Sequence, residues 1–168
     1  FLQSPEATLR YLAALSFASV RDSSVIGRLT PLLHDPVEDV RLATAFALGQ
    51  IGSPPCEKPL IEAFMSGDST SEHQMFNCFV LEAVGKCGTA ATLKNIASVT
   101  TYKQSDTLLM LGQCRAIYRF SQRKIIDPLG TARMVSVVAN ERMPAPARLM
   151  AANYLARAKD ISPDSAQA

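Results

Sequence analysis

The chain has 168 residues, 48% of them hydrophobic and 19% charged, with a formal net charge of +2. That balance excludes a disordered chain and suits one globular domain or a short repeat array. No apolar run approaches the ~20 residues of a membrane-spanning helix, and a small net charge gives no ground for a nucleic-acid-binding class.

In chain order, the first helix is expected over 5–20. Leu9, Tyr11, Leu12, Leu15, Phe17 and Val20 make it apolar nearly all round. A solenoid end of that kind needs covering, so further N-terminal repeats or a neighbouring molecule are expected to lie over it. A second helical segment is expected at 24–34, strongest in VIGRLTPLL, with a bend or early turn at Pro31. Asp35-Pro36 opens the clearest helix, DPVEDVRLATAFALGQIG, which closes on Gly52. Val40, Ala43, Ala47, Leu48 and Ile51 form its apolar stripe. Further helical segments are expected at 55–66, 90–102 and 128–140. The Val-rich run MVSVVA (134–139) has strand character but sits in helical context. Residues 161–168 read as a polar tail or linker, leaving 1–160 as one array. Because the sequence opens on Phe1 and ends on that tail, it is expected to be a piece of a larger protein. No targeting segment assigns a compartment.

The segments repeat. Shifted back 31 residues, Val40-Arg41 falls on Leu9-Arg10, Leu48 on Phe17 and Ile51 on Val20. Shifted forward 36, FALGQIG (46–52) falls on EAVGKCG (82–88); 33 further lies RAIYRFS (115–121), and 38 beyond that a copy with Arg148, Ala152 and Leu155. Such internal periods mark a repeat architecture. The organisation is one leading helix and then four helix pairs.

These phrases resemble HEAT repeats, in particular the short, phycobilisome-lyase-type variety. The resemblance implies an all-α fold, a right-handed α–α superhelix, without a catalytic site of its own. It places Asp35 and Val40-Arg41 where the family carries its Asp and Val-Arg residues, and so implies that Asp35 and Arg41 form a structural link between repeats. Ser4, Ser71, Ser105 and Glu141 stand opposite Asp35 in the other copies, which breaks any continuous ladder. LLMLGQCRAIYRF (108–120) and RLMAANYLARAK (148–159) are similar to HEAT regions joined to cyclophilin-type prolyl isomerases in some bacteria, which implies an accessory role beside such an enzyme.

By the same resemblance, the second helix of each pair lines the concave face. Helical phase turns two rows outward: Leu15, Phe46, Glu82, Arg115, Asn153, and Ser19, Gln50, Lys86, Arg119, Arg157. The expected function is a protein-binding groove, with Leu15 and Phe46 as apolar anchors and Lys86, Arg115, Arg119 and Arg157 holding acidic groups. The alternative is a nucleic-acid-binding domain that uses the basic second half. Residues 1–84 carry five Lys/Arg against ten Asp/Glu, and 85–168 carry twelve against five. Few aromatic residues are available for base stacking.

Motifs for chemistry are missing. Cys56, Cys78, Cys87 and Cys114 form no CxxC pair and are expected as buried thiols. His34 and His73 have no carboxylate or thiol at ligand spacing on their own helix faces. Neither a GxSxG elbow nor a glycine-rich phosphate loop is present. No cofactor is expected.

Overall fold

The computed structural model describes residues 1–65, 72–103 and 105–157. Every regular element among them is helical: α1 (Ala7–Val20), α2 (Ile26–Leu29), α3 (Glu38–Ile51), α4 (Glu57–Ala63), α5 (Gln74–Cys87), α6 (Ala90–Ser98), α7 (Thr107–Gln122), α8 (Pro128–Ala139) and α9 (Ala145–Arg157), with short 3-10 turns at Ser23–Val25, Thr30–His34 and Pro54–Cys56. The Val-rich run is helical, inside α8. The tail expected at 161–168 lies outside the described residues, as does Ser71.

The helices form two layers. α1, α3, α5, α7 and α9 stack side by side in sequence order, and α2, α4, α6 and α8 with their 3-10 turns back onto them. The core lies between the layers. Val40, Ala47 and Leu48 of α3, Phe76 of α5, Phe120 of α7 and Tyr154 of α9 are all but fully buried. The first layer is close-packed because glycine lets backbones meet. A Cβ on Gly49 would lie 2.9 Å from Ala83 Cβ, one on Gly85 2.6 Å from the Ala116 carbonyl oxygen, and one on Gly112 2.9 Å from Cys78 Cα. No larger residue fits these approaches without the helices moving apart.

Local chemistry sets the boundaries. Pro31 cannot donate to the preceding turn, so the segment expected at 24–34 breaks into α2 and a 3-10 turn. α3 ends on Gly52 with φ of 63°, a left-handed residue whose N–H returns to the Leu48 carbonyl. α4 stops at Ala63, before the expected 66, because Phe64 turns extended. α6 stops at Ser98, before the expected 102, because Val99 does the same. Both early stops leave helix-end carbonyls without intrahelical partners. Asn77 of α5 donates to the Met65 carbonyl at 2.9 Å and accepts from the Met65 N–H at 3.0 Å. Gln113 of α7 donates to the carbonyls of Ile96 and Val99 at 2.6 and 2.8 Å.

The inter-repeat link differs from the expected pair. The Asp35 carboxylate is held by Arg10, whose Nε and Nη2 donate to it at 2.6 and 2.9 Å. Arg41 donates instead to the main-chain carbonyls of Asp35 and Pro36 at 2.8 and 3.3 Å. Arg10 makes the same bracket one repeat earlier, on the carbonyls of Ser4 and Pro5 at 2.9 and 3.0 Å. Each arginine therefore ties down the Pro turn that opens its own helix, and Arg10 alone also reaches the next repeat's aspartate. Arg41 lies over the Phe76 ring, 5.7 Å from its centre.

Candidate functional site

The two outward rows run along the exposed side of the α1–α3–α5–α7–α9 layer. Leu15, Phe46, Glu82, Arg115 and Asn153 are each half-buried; Gln50, Lys86 and Arg119 are half-buried too, and Ser19 and Arg157 are exposed. They lie on successive helices of one layer.

Their side chains are largely engaged with one another. Glu82, projecting from the middle of α5, is the centre. Arg119 of α7 donates to Glu82 Oε1 from Nη2 at 2.7 Å and from Nε at 3.1 Å. Arg115, one turn earlier on α7, reaches Oε2 at 3.3 Å. Lys86, one turn later on α5, lies 3.6 Å from Oε1. Lys86 also stands over the Phe46 ring at 5.7 Å, which joins α3 to α5. Arg119 donates to Gln122 at 3.0 Å. At the far end Arg157 donates to the Tyr118 hydroxyl at 2.5 Å, joining α9 to α7. Among the described residues, Gln50 and Asn153 take no part in this network.

Three cations therefore meet one carboxylate, and the cluster keeps a surplus positive charge. Burial pushes the Glu82 carboxyl up. The Arg119 hydrogen bond and the charges of Lys86, Arg119 and Arg115 outweigh it and hold the group below the usual carboxylate range. Burial pulls the Lys86 ammonium down, and the positive charges of Arg119 and Arg21 add to that pull against Glu82. Arg123 extends the basic edge, donating to the Gly88 carbonyl at the end of α5 at 2.7 Å.

The cysteines carry no comparable chemistry. All four are buried and free. Burial pushes Cys87 and Cys114 up to about 12 and raises Cys56 and Cys78 as well, so all four are thiols at neutral pH. Among the described residues no group of three or more His, Cys, Asp or Glu side chains is arranged to hold a metal ion. None of their helices is long and apolar enough to cross a membrane.

Comparison with known families bears on the first two repeats. Residues 1–72 match the family model for HEAT repeats. Residues 1–72 carry HEAT-like repeats. The match covers α1 to α4, where the Arg10 and Arg41 brackets lie, and the same two-layer pairing of helices continues through α9. No curated protein matches the chain. HEAT repeats suggest a protein-interaction or scaffold module.

Sequence reasoning placed the rows but missed how they close on themselves. The signal was there for Glu82, the one acidic residue in two rows that otherwise turn basic towards the C-terminus. It also missed Asn77 and Gln113, which are buried polar residues on apolar faces and have no partner within their own helices.

Proposed function

We propose that this HEAT-repeat region is a non-catalytic scaffold that holds an acidic segment of a protein partner along the α3–α5–α7–α9 layer. The observation that carries the reading is the cluster of Lys86, Arg115 and Arg119 around the single carboxylate of Glu82, continued by Arg157. Glu82 preorganises the cations and neutralises only part of their charge. An incoming carboxylate can therefore share Arg115 and Arg157 without displacing the core of the network. Phe46 and Leu15 give the same face an apolar end.

The resemblance of 108–120 and 148–159 to HEAT regions beside bacterial prolyl isomerases supports a finer version, in which this scaffold positions a client for such an enzyme. Binding of nucleic acid through the basic half is the competing reading. The small formal net charge of +2 and the scarcity of aromatic residues for base stacking weaken it.

The test is capture of protein partners by the wild-type chain and by the Lys86→Gln/Arg157→Glu double variant. Lys58→Glu, on the highly exposed side of α4, serves as a charge-change control in the other layer. Loss of the partner in the double variant and retention in the control is the expected result. Retention by the double variant overturns the assignment of this face. Capture of nucleic acid with a steep loss of affinity as salt rises would favour the competing reading.

A further inference from the structure

The second layer is interrupted. α4 and α6 are pinned together at their N-terminal ends by the Glu57 carboxylate, which accepts from the Thr89 N–H at 2.7 Å and from the Thr92 hydroxyl at 2.5 Å. α4 stops at Ala63 and α6 at Ser98, and a cleft of about 580 Å³ lies between them. This volume falls within the range of small-molecule sites. Ile61 and Phe64 form one wall, Ile96 and Val99 the other, and Val80 and Leu109 lie in the floor. Ile61 and Val99, on the two rims, are 47% and 44% exposed, so apolar surface continues to the mouth.

The polar groups gather at the end past α6, and their hydrogen-bonding capacity is unevenly spent. Three acceptors, on Asp106, Gln113 and Asn77, are occupied, while the Asn95 and Thr101 side chains, which also line the cleft, make no hydrogen bond among the described residues. Asp106 takes the Lys103 N–H at 2.8 Å and the Gln74 amide at 3.4 Å. The Gln113 oxygen takes Arg133 Nε at 2.9 Å, and the Asn77 oxygen takes the Met65 N–H. Two further donors are unoccupied. Among the described residues the Tyr102 hydroxyl and the Lys103 ammonium have no hydrogen-bond or ion-pair partner, and both line the cleft. Burial holds the Tyr102 hydroxyl well above its ordinary pKa, so it remains an O–H donor.

Behind this wall lies an uncompensated cation. Arg133 is only 7% exposed, stacks 5.4 Å from the centre of the Tyr102 ring, and faces no carboxylate among the described residues. Its Nη2 is buried without a partner. A guanidinium so placed projects positive potential towards the adjacent cleft, and with the Lys103 ammonium it outnumbers the single Asp106 carboxylate in the lining.

We propose that the cleft between α4 and α6 binds a small apolar molecule with an anionic head, an aliphatic or aromatic carboxylic acid. The apolar body lies between Ile61 and Val99 over the floor of α5 and α7. The carboxylate accepts from Tyr102 and Lys103, in the field of Arg133. This site belongs to the opposite layer from the basic row and stands independently of it.

The test is calorimetric titration of the chain with decanoate, decyl alcohol and decylamine below their micellar concentrations. Decanoate is expected to bind one-to-one and decylamine at least about tenfold more weakly, with the alcohol between them. Ile61→Asp/Val99→Asp, at two exposed positions that the fold tolerates, is expected to abolish decanoate binding with an unchanged circular dichroism spectrum. Lys103→Glu is expected to weaken decanoate by about tenfold and to leave the alcohol unaffected. Absence of saturable decanoate binding overturns the proposal. So does undiminished binding in the double variant, or decylamine binding as tightly as decanoate.

Discussion

Gly85→Ala isolates what the close-packed layer depends on. The added methyl would stand 2.6 Å from the Ala116 carbonyl oxygen, 2.8 Å from Ala116 Cα and 2.9 Å from Arg119 Cβ. Two of those atoms are backbone, so no rotamer change relieves the contact and α5 and α7 must part by most of an ångström. Overpacking of this kind costs about 1–3 kcal/mol, towards the upper end when backbone has to shift. The substitution also gains about 0.8–1 kcal/mol of helix propensity. A net loss of about 2 kcal/mol is expected, and for a chain of this size it lowers Tm by about 4–8 °C. Gly27→Ala is the matched comparison, because nothing lies within 4 Å of a Cβ there. With propensity acting alone it should gain up to about 1 kcal/mol and raise Tm by about 2–4 °C. Thermal unfolding followed by circular dichroism reads both variants. A Gly85→Ala protein as stable as wild type, or stabilised like Gly27→Ala, would refute the argument that glycine sets the spacing of this layer.

Other expectations rest on single contacts. Asp35→Asn removes the charge that Arg10 grips and should lower stability by about 2 kcal/mol at neutral pH in urea denaturation, with the difference shrinking as pH falls through the lowered folded value of Asp35. The acid limb follows from sign. The Arg10 hydrogen bond holds Asp35 below the usual carboxylate range against the opposing pull of burial, and Glu82 is also held low. Their contribution is complete above that range, about pH 4, and is lost as pH falls through the lowered folded values. Glu82→Gln should therefore flatten the acid limb and destabilise the chain at pH 7, since Lys86, Arg115 and Arg119 would be left facing one another; an unaltered pH–stability curve would exclude the network as described. Tyr154→Phe deletes a buried 2.7 Å hydrogen bond with Thr131 and is expected to cost about 1 kcal/mol by the same denaturation assay.

Much of the fold could be read before any coordinates. Val40, Ala43, Ala47 and Leu48 of the 3.6-residue stripe are buried as expected, Ile51 at its end is half-buried, and the order of one helix followed by four pairs holds. Helical phase also brought Phe46, Glu82, Lys86, Arg115 and Arg119 to one surface, because periodicity reports which way a side chain points. It does not report which side chains then meet. Glu82 and Arg119 are 37 residues apart, and their pairing depends on how closely α5 approaches α7. The determinant of that approach was visible, since Gly49 and Gly85 occupy the same place in FALGQIG and EAVGKCG. Its meaning was not, because an isolated helix would simply be weakened there. The resemblance named Asp35 and Arg41 for the link between repeats, and stacking of the repeats gives Asp35 the Arg10 side chain as its partner. The cleft had no sequence signal, since it lies between α4 and α6, which end earlier than the periodicity suggests.

A structure continuous in one layer and interrupted in the other has an uneven stiffness. Along α3, α5 and α7 the glycine contacts leave no slack, so that side resists stretching like the steel in a reinforced beam. On the other side α4 and α6 touch chiefly at the Glu57 junction. Any bending of the array would therefore be concentrated at that one joint, with Glu57, Thr89 and Thr92 as its pin. A molecule filling the cleft would then brace the acidic N-terminal half against the basic C-terminal half.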